Sequence, residues 1–356
     1  MSTRTHSTAP YLGPFLECHA GYTTDDGILE RSASGGFVTS FLIWLLREGH
    51  IERALLTRCT NIDGQIGAAS FIASNVDEIL SAQNSVYIDG NVSFFDTLHN
   101  ELDRPGRLAI VCLPCQANAI RKMTQIDPTV SNKIVLLIGL ACIHTAEPEL
   151  INDFLESKGI DTRRVTELTM RGKPRDFDNL KIHFDREVLS VRGFALYFLT
   201  YFHSSSRCLS CSDQLAEHSD ISCCDVWRTP YMAKAKPHSF VIVRTAKAQA
   251  WFNQFCSYGL FYAEKAEPEA VVKSQQGGLH IKKRAQAIFA RFGPFFGYHV
   301  MNHGGRTRWP LYYLGALCIL ISMRVSQHKK LMSVLYRIPR PFMSLYRKTL
   351  LFLFHF

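Results

Sequence analysis

The stretch Arg107-Leu-Ala-Ile-Val-Cys-Leu-Pro-Cys-Gln116 decides the fold that the sequence predicts. Its apolar part, Leu108–Cys112, is unbroken, which is typical of a strand that is buried on both faces of a sheet. A helix is predicted directly afterwards, over 117–124. In α/β proteins, ligand-contacting groups lie where a strand passes into a helix. Cys115 stands at that point, so we predict that it binds a ligand.

A second strand of the same kind is predicted at Lys133–Ala141, followed by Cys142 and, two residues later, His144. A helix over 147–158 comes next. Two adjacent strand-to-helix turns would bring Cys115 and Cys142 to one rim of a sheet. The sequence therefore places two thiols together although 26 residues separate them along the chain.

Other strands are predicted at 53–58, 67–73 and 239–245, and a helix over 37–46. We therefore expect an α/β protein, with mixed sheets and flanking helices in two packed subdomains and a basic helical C-terminal appendage. The expected divisions are 1–125 for a flavin-binding region, 126–300 for a region with the cysteines, and 301–356 for the appendage.

A pair of cysteines at Cys-x-x-Cys spacing, Cys208 and Cys211, is the third candidate feature. Such a turn can point both sulfurs at one centre, as zinc and iron–sulfur sites require. The chain has 11 cysteines and opens without an apolar secretory segment, so we expect a reducing compartment and metal ligation rather than disulfides. From the residues alone, zinc and an iron–sulfur cluster are equally favoured. Cys223 and Cys224 are alternative ligands.

A turn of small residues, Ser34-Gly35-Gly36, precedes the predicted helix at 37–46. Backbone N–H groups at such a helix start can bind a phosphate. The ordinary alternative is a tight entry turn without a ligand. The sequence contains no Gly-x-Gly-x-x-Gly, so a Rossmann site is not indicated.

Taken together, these motifs resemble the beta-subunit family of coenzyme F420 hydrogenases and dehydrogenases. The resemblance covers about residues 15–290, and the motifs that carry it are Arg31–Gly36, Leu113–Gln116, Cys142, Cys208–Cys211 with Asp220 and Asp225, Ser239–Thr245, and Gly278–Arg284. It implies an iron–sulfur flavoprotein that binds FAD. Members of the family include F420-reducing subunits, chlorophyll-pathway reductases and proteins of cell-surface polysaccharide clusters.

The resemblance also implies roles for individual residues. One [4Fe–4S] cluster would be held by Cys115, Cys142, Cys208 and Cys211. FAD would be bound by Ser32, Ser34, Gly35, Gly36, Tyr87, Asp89, Pro114, Gln116 and Asp225. His144 would be a catalytic proton donor, with an ordinary surface histidine as the alternative.

Three departures from the family pattern affect these expectations. The chain lacks the N-terminal ferredoxin-like module of many members, so we expect at most one cluster. Cys224 stands where the family has glycine before Asp225. The usual Cys-His pair is replaced by Cys142-Ile-His144, which leaves the role of the histidine open.

The C-terminal part of the chain is strongly basic. The net charge is +9, and no Asp or Glu follows Glu269. The apolar run Trp309–Met323 is shorter than the roughly 20 residues of a membrane-spanning helix. Basic and bulky apolar residues together favour a helix at the surface of an anionic membrane, and packing on the body is the alternative. We expect a cytoplasmic protein, peripheral at the inner membrane face, and no nucleic-acid partner because no reader motif is present.

The sequence therefore predicts an FAD-dependent iron–sulfur oxidoreductase that passes electrons between a [4Fe–4S] cluster and a flavin. The expected partners are a ferredoxin-like electron donor or F420, and a small-molecule or glycan-pathway substrate, with a role in exopolysaccharide or cell-surface glycan metabolism. One alternative is a strict coenzyme F420 oxidoreductase. The other is a zinc-stabilised or cofactor-free scaffold for polysaccharide biosynthesis that is not an enzyme.

Overall fold

The computed structural model describes residues 9–173, 176–184, 186–227, 229–302 and 309–355. The strands are β1 (Glu17–Thr23), β2 (Arg53–Ile62), β3 (Gln65–Ala73), β4 (Leu108–Cys112), β5 (Ile134–Leu140), β6 (Glu167–Thr169), β7 (Asn179–His183), β8 (Val188–Arg192), β9 (Ile221–Asp225), β10 (Ser239–Val243) and β11 (Phe261–Lys265). The α-helices are α1 (Ala9–Leu12), α2 (Asp26–Arg31), α3 (Phe37–Arg47), α4 (Val76–Ser81), α5 (Asn91–Leu102), α6 (Pro114–Ile126), α7 (Pro128–Lys133), α8 (Glu149–Ser157), α9 (Phe194–Phe198), α10 (Ala246–Ser257), α11 (Pro268–Arg284), α12 (Gln286–Phe292), α13 (Pro310–Ser326), α14 (Lys329–Leu335) and α15 (Arg340–Leu353).

Eight strands form one mixed sheet in the order β11-β1-β10-β9-β5-β4-β2-β3. The four strands β9, β5, β4 and β2 are parallel, and antiparallel pairs join the others at both ends. The apolar runs predicted at 108–112 and 133–141 are β4 and β5, neighbours in register at Ile110 and Leu137. The mixed α/β class predicted from the sequence is confirmed.

Helices cover both faces of this sheet. On one face, α3 and α10 pack Phe41, Trp44 and Phe255 against the strands, and all three side chains are buried. On the other face, α5 and α6 contribute Phe94 and Ile120 to a separate core. Because both faces are covered, the central strands are apolar throughout instead of alternating.

A second sheet, β6-β7-β8, is antiparallel. Its buried side chains pack with α8, α9 and the C-terminal helices. The large sheet takes β1 to β4 from one side of the predicted division at 125, and β5 and β9 to β11 from the other. The division into two subdomains stays a prediction.

The C-terminal helices pack on the body of the protein. Tyr312 and Met323 of α13 are buried, and Arg340 of α15 pairs with the buried Asp178 at 2.8 Å. His280 of α11 holds the end of the chain, because its Nδ1 lies 2.6 Å from the carbonyl of Phe354. None of the helices in the described parts of the chain combines the length and apolar character that a bilayer crossing requires. The stretch 303–308 of the predicted appendage lies outside the described residues.

Asp220, directly before β9, links β9 to the neighbouring strand β5 and to side chains outside the sheet. Its Oδ2 accepts a hydrogen bond from the backbone N–H of Leu137 in β5 at 2.8 Å. Its Oδ1 lies 2.7 Å from the Arg121 guanidinium of α6 and accepts from Thr245 Oγ1 at 3.2 Å. The carboxylate therefore joins three elements, and it is only 8% exposed.

We predict that Asp220→Asn lowers the free energy of unfolding by about 2 kcal/mol, because hydrogen bonds to a charged group are worth about 1.5–3 kcal/mol. The measurement is urea unfolding, with Asp96→Asn on the exposed side of α5 as the matched control. An Asp220 variant as stable as the control would show that the carboxylate does not fasten the sheet.

Candidate functional site

Two of the predicted ligands lie at the carboxyl edge of the parallel strands. β4 ends at Cys112, and Pro114 starts α6 in the first helical position, which places Cys115 in the first turn. β5 ends at Leu140, and Cys142 follows two residues later. Because the strands are parallel neighbours, the chain leaves both at the same edge of the sheet.

A short 3₁₀ turn, Ser206–Ser210, brings the other pair of cysteines to this edge. The turn is attached to the segment that follows β5, since the Ser205 N–H donates to the Thr145 carbonyl at 2.9 Å. The backbone N–H of Thr145 in turn donates to the sulfur of Cys208 at 3.4 Å. Cys211 ends the turn and directs its Sγ to within 3.3 Å of the Asp213 carbonyl oxygen.

The four thiols lie close enough to perturb one another. Burial raises the pKa of Cys142 well above its ordinary value, and the neighbouring Cys208, Cys115 and Cys211 raise it further. Burial raises the pKa of Cys115 to about 11, again with contributions from Cys211 and Cys208. We call Cys115, Cys142, Cys208 and Cys211 the thiol site.

The thiol site fits an iron–sulfur cluster by the kind and number of its donors. Four cysteine thiolates are the ligands of a [4Fe–4S] cluster, and each sulfur binds a different iron at a corner of the cube. Across the described residues, no group of three or more His, Cys, Asp or Glu side chains is arranged to hold a metal ion.

The alternative ligands Cys223 and Cys224 lie elsewhere, inside β9. Cys224 packs in a core with Cys18 and Phe240. Burial, with a smaller contribution from Asp225, raises the pKa of Cys223 to about 12. These two thiols belong to the interior of the sheet rather than to the thiol site.

His144 is buried, in contrast to the surface position that the sequence left open. Its ring lies between Phe198 and Tyr201, at centroid distances of 4.3 and 4.1 Å. Burial lowers the pKa of His144 to about 3, so the imidazole is neutral near pH 7. A neutral ring with this packing is better suited to filling space beside the thiol site than to donating a proton, and its catalytic role stays a prediction.

The turn predicted to bind a pyrophosphate is closed onto β10. The Gly35 N–H donates to Ser239 Oγ at 2.9 Å, and Ser34 Oγ donates to the His238 carbonyl at 2.6 Å. A Cβ on Gly35 would collide with the carbonyl oxygen of Gly21, so only glycine permits this approach. Ser32 likewise donates to a carbonyl of α2, and Gly36 caps α3 with φ of +75°. These polar groups are used by the fold and are not free for a phosphate.

Two cations that the sequence analysis missed lie beside this turn. The buried Arg171 donates to the Ala33 carbonyl at 3.3 Å, and Lys173 donates to the Ser32 carbonyl at 2.7 Å. Burial lowers the pKa of Lys173 to about 8. No spacing rule points to either residue, because both come from the loop between β6 and β7 and reach the turn through the tertiary fold.

Two of the predicted flavin residues, Tyr87 and Asp225, meet at Arg171. The guanidinium donates to Asp225 Oδ2 at 2.6 Å. Burial raises the pKa of Tyr87, and the nearby Arg171 charge lowers it in part. The Tyr87 ring stacks on Phe198 at 4.3 Å, and Phe198 also packs on His144, so this group borders the thiol site.

The remaining predicted residues lie directly next to the thiol site. Asp89 pairs with Arg207 and accepts from Thr145 Oγ1 at 3.2 Å. Gln116 accepts from the Leu113 N–H at 2.8 Å, and its amide nitrogen lies 2.6 Å from the side-chain amide of Asn91. Pro114 begins the same helix. Gln116 thus orders the start of α6 next to Cys115.

Two family models match this chain. Residues 106–269 match the model of the C-terminal part of the coenzyme F420 hydrogenase/dehydrogenase beta subunit. Residues 18–93 match the model of the N-terminal part of the same beta subunit. The matched segments contain the thiol site and the predicted flavin residues.

Relatives are similar at low identity. "Coenzyme F420 hydrogenase subunit beta" of Methanosarcina barkeri is 24% identical over 268 residues, covering 72% of this chain and 84% of that protein. The same subunit of Methanothermobacter thermautotrophicus is 26% identical over 262 residues, covering 72% and 86%. "Coenzyme F420-dependent sulfite reductase" of Methanocaldococcus jannaschii is 28% identical over 231 residues, covering 60% of this chain but only 33% of the relative.

The fold is shared with a solved structure. A chain of the F420-reducing [NiFe] hydrogenase complex from Methanosarcina barkeri superposes with a TM-score of 0.62. The superposition covers 83% of this chain and 98% of that chain at 19% sequence identity. At that identity the likeness concerns the architecture.

We predict that Arg171→Met lowers the free energy of unfolding by about 3–5 kcal/mol, because it leaves the Asp225 carboxylate largely buried without its partner. The double variant Arg171→Met with Asp225→Leu should recover part of this loss, because no uncompensated charge remains. Urea unfolding of the two single variants and the double variant measures the coupling. If the loss in the double variant equals the sum of the losses in the two single variants, the ion pair contributes no coupling free energy to stability.

Proposed function

Because the chain belongs to the coenzyme F420 hydrogenase/dehydrogenase beta-subunit family, we propose that it is an electron-transferring subunit of an F420-dependent oxidoreductase. In this proposal the thiol site holds one [4Fe–4S] cluster. The cluster supplies one-electron transfer, which the protein supports by fixing the ligands and the surrounding charge. The single observation that carries the proposal is the meeting of four cysteines from three separate segments at one edge of the sheet.

The redox partner that the relatives favour is coenzyme F420, which the names of the hydrogenase subunit and the sulfite reductase specify. We propose F420, or another subunit of the same complex, as the electron partner, in place of a free ferredoxin-like donor. A strict F420 oxidoreductase and an enzyme with an additional FAD are equally compatible with the family. For the FAD alternative, we propose Arg171 and Lys173 as the cationic groups for the pyrophosphate, because the donors of the turn at 34–36 are used by the fold.

A role in exopolysaccharide or cell-surface glycan metabolism stays a prediction, because no glycan enzyme is among the relatives described above. The scaffold alternative has less support than the enzyme. The similar proteins are named as subunits of a hydrogenase or as a reductase, which are oxidoreductases. Full zinc occupancy with no iron in anaerobically purified protein would restore the scaffold alternative.

The test of the proposed function is the cofactor content of anaerobically purified protein. We predict iron and sulfide with a broad absorbance that bleaches on reduction, and loss of most of the iron in Cys208→Ser. Cys256→Ser, a half-buried thiol in α10, is the matched control and should keep its iron. Chromatography of the extracted cofactors distinguishes F420 from FAD. Full iron in Cys208→Ser would mean that the ligand set is wrong, and a wild-type protein without iron would contradict the proposed function.

We further propose that the C-terminal helices bind an anionic membrane surface. Phe342 and Leu345 of α15 are 65% and 62% exposed, and Leu331 and Val334 of α14 are 50% and 62% exposed. The segment after Glu269 carries basic residues and no acidic residue. Exposed apolar side chains with basic neighbours are the features of a helix that lies in a membrane interface.

We predict that Phe342→Glu with Leu345→Glu abolishes binding to phosphatidylglycerol vesicles, because both changes put a charge on the apolar surface and repel the lipid. Co-sedimentation measures the binding. Val92→Glu, which charges an apolar residue that is 79% exposed on α5, is the control and should still bind. Wild-type protein that stays in the supernatant would contradict the membrane proposal and favour another protein as the partner of this surface.

A further inference from the structure

Lys282 is a buried cation beside the thiol site. It lies in α11, beyond the last residue of the matched models, and its side chain reaches the thiol site. Its Nζ donates to the carbonyl of Cys208 at 3.0 Å. The residue is only 3% exposed, in contrast to the neighbouring Lys283, which pairs with Glu217 nearer the surface.

A buried ammonium group is costly unless negative charge lies nearby. Lys282 donates to the backbone of Cys208, and the Sγ of that residue accepts from the Thr145 N–H at 3.4 Å, in the segment that also carries Cys142. The ammonium group therefore lies against the loops that carry the predicted ligands, where a bound cluster would place negative charge beside it.

We propose that Lys282 is the fixed counter-charge of the cluster in the thiol site and that it raises the reduction potential there. The inference rests on the proposed function, because it requires an anionic cluster. Four thiolates around a [4Fe–4S] core carry net negative charge, and one-electron reduction adds one more negative charge without breaking a bond. A positive charge held beside the site stabilises the reduced form more than the oxidised form, since attraction grows with the charge difference.

Lys282 acts in this proposal as a positioning residue for charge and not as a catalytic residue. It also donates a hydrogen bond to the 3₁₀ turn, at the carbonyl of Cys208, the first residue of the Cys-x-x-Cys pair. The two roles are separable. A neutral side chain that still donates a hydrogen bond keeps the second role and removes the first.

The experiment compares reduction potentials of the full-length protein, measured by anaerobic redox titration with an EPR or absorbance readout. Lys282→Gln and Lys282→Met should shift the one-electron equilibrium at least tenfold toward the oxidised form, which corresponds to about 59 mV lower potential. Lys282→Arg should restore the wild-type potential. Lys283→Met removes a neighbouring positive charge and is the matched control, with no comparable shift expected.

The outcomes separate the two proposals. Iron-loaded Lys282→Gln with the wild-type potential overturns this inference while the proposed function stands. A shift of equal size in Lys282→Arg or in Lys283→Met also overturns it, because the effect would then not follow the charge at this position. Wild-type protein that holds no iron overturns the proposed function and this inference together. Iron content and circular dichroism of each variant show whether a changed potential comes from an intact, loaded fold.

Discussion

Parallel pairing between β4 and β5 is the constraint on which the candidate site depends. The two strands align Ile110 with Leu137 and end at the same edge of the sheet, so the residues that follow them are neighbours in space. The hydrogen bonds of Thr145 then attach the turn that carries Cys208 to this edge. The topology of the sheet therefore brings the loops of the thiol site together.

Charge is buried around this edge of the sheet, which is uncommon unless a function requires it. Arg171 pairs with Asp225, and Lys282 lies against the Cys208 carbonyl. Each placement costs desolvation free energy that an apolar core would avoid. Buried cations stabilise anionic redox groups at such a site, because charges interact strongly at short distance in a medium of low dielectric constant.

The sequence predicts β4 and β5 because each is an unbroken apolar run, which is typical of a buried parallel strand. Neighbouring parallel strands end at one edge of the sheet, so the cysteines that follow them are predicted at that edge. It also predicts the class of the fold and the Cys-x-x-Cys turn. The contacts of Arg171 and Lys282 carry no such signal, because their hydrogen-bond partners lie about 50 to 140 residues away and meet them only through tertiary packing. The turn at Gly35 shows a pattern with two explanations. Small residues at a helix start fit a phosphate site, and they also fit the close packing against β1 and β10 that the structure shows.

The shared sheet also bears on how this chain can be divided in the laboratory. Residues matched by the N-terminal family model supply β2 and β3, and residues matched by the C-terminal model supply β4, which pairs with β2. A cut in the connection between them would leave a bare strand edge on each fragment, and such edges promote aggregation. The segments matched by the two family models therefore share one sheet, and studies of this chain are best made on both together.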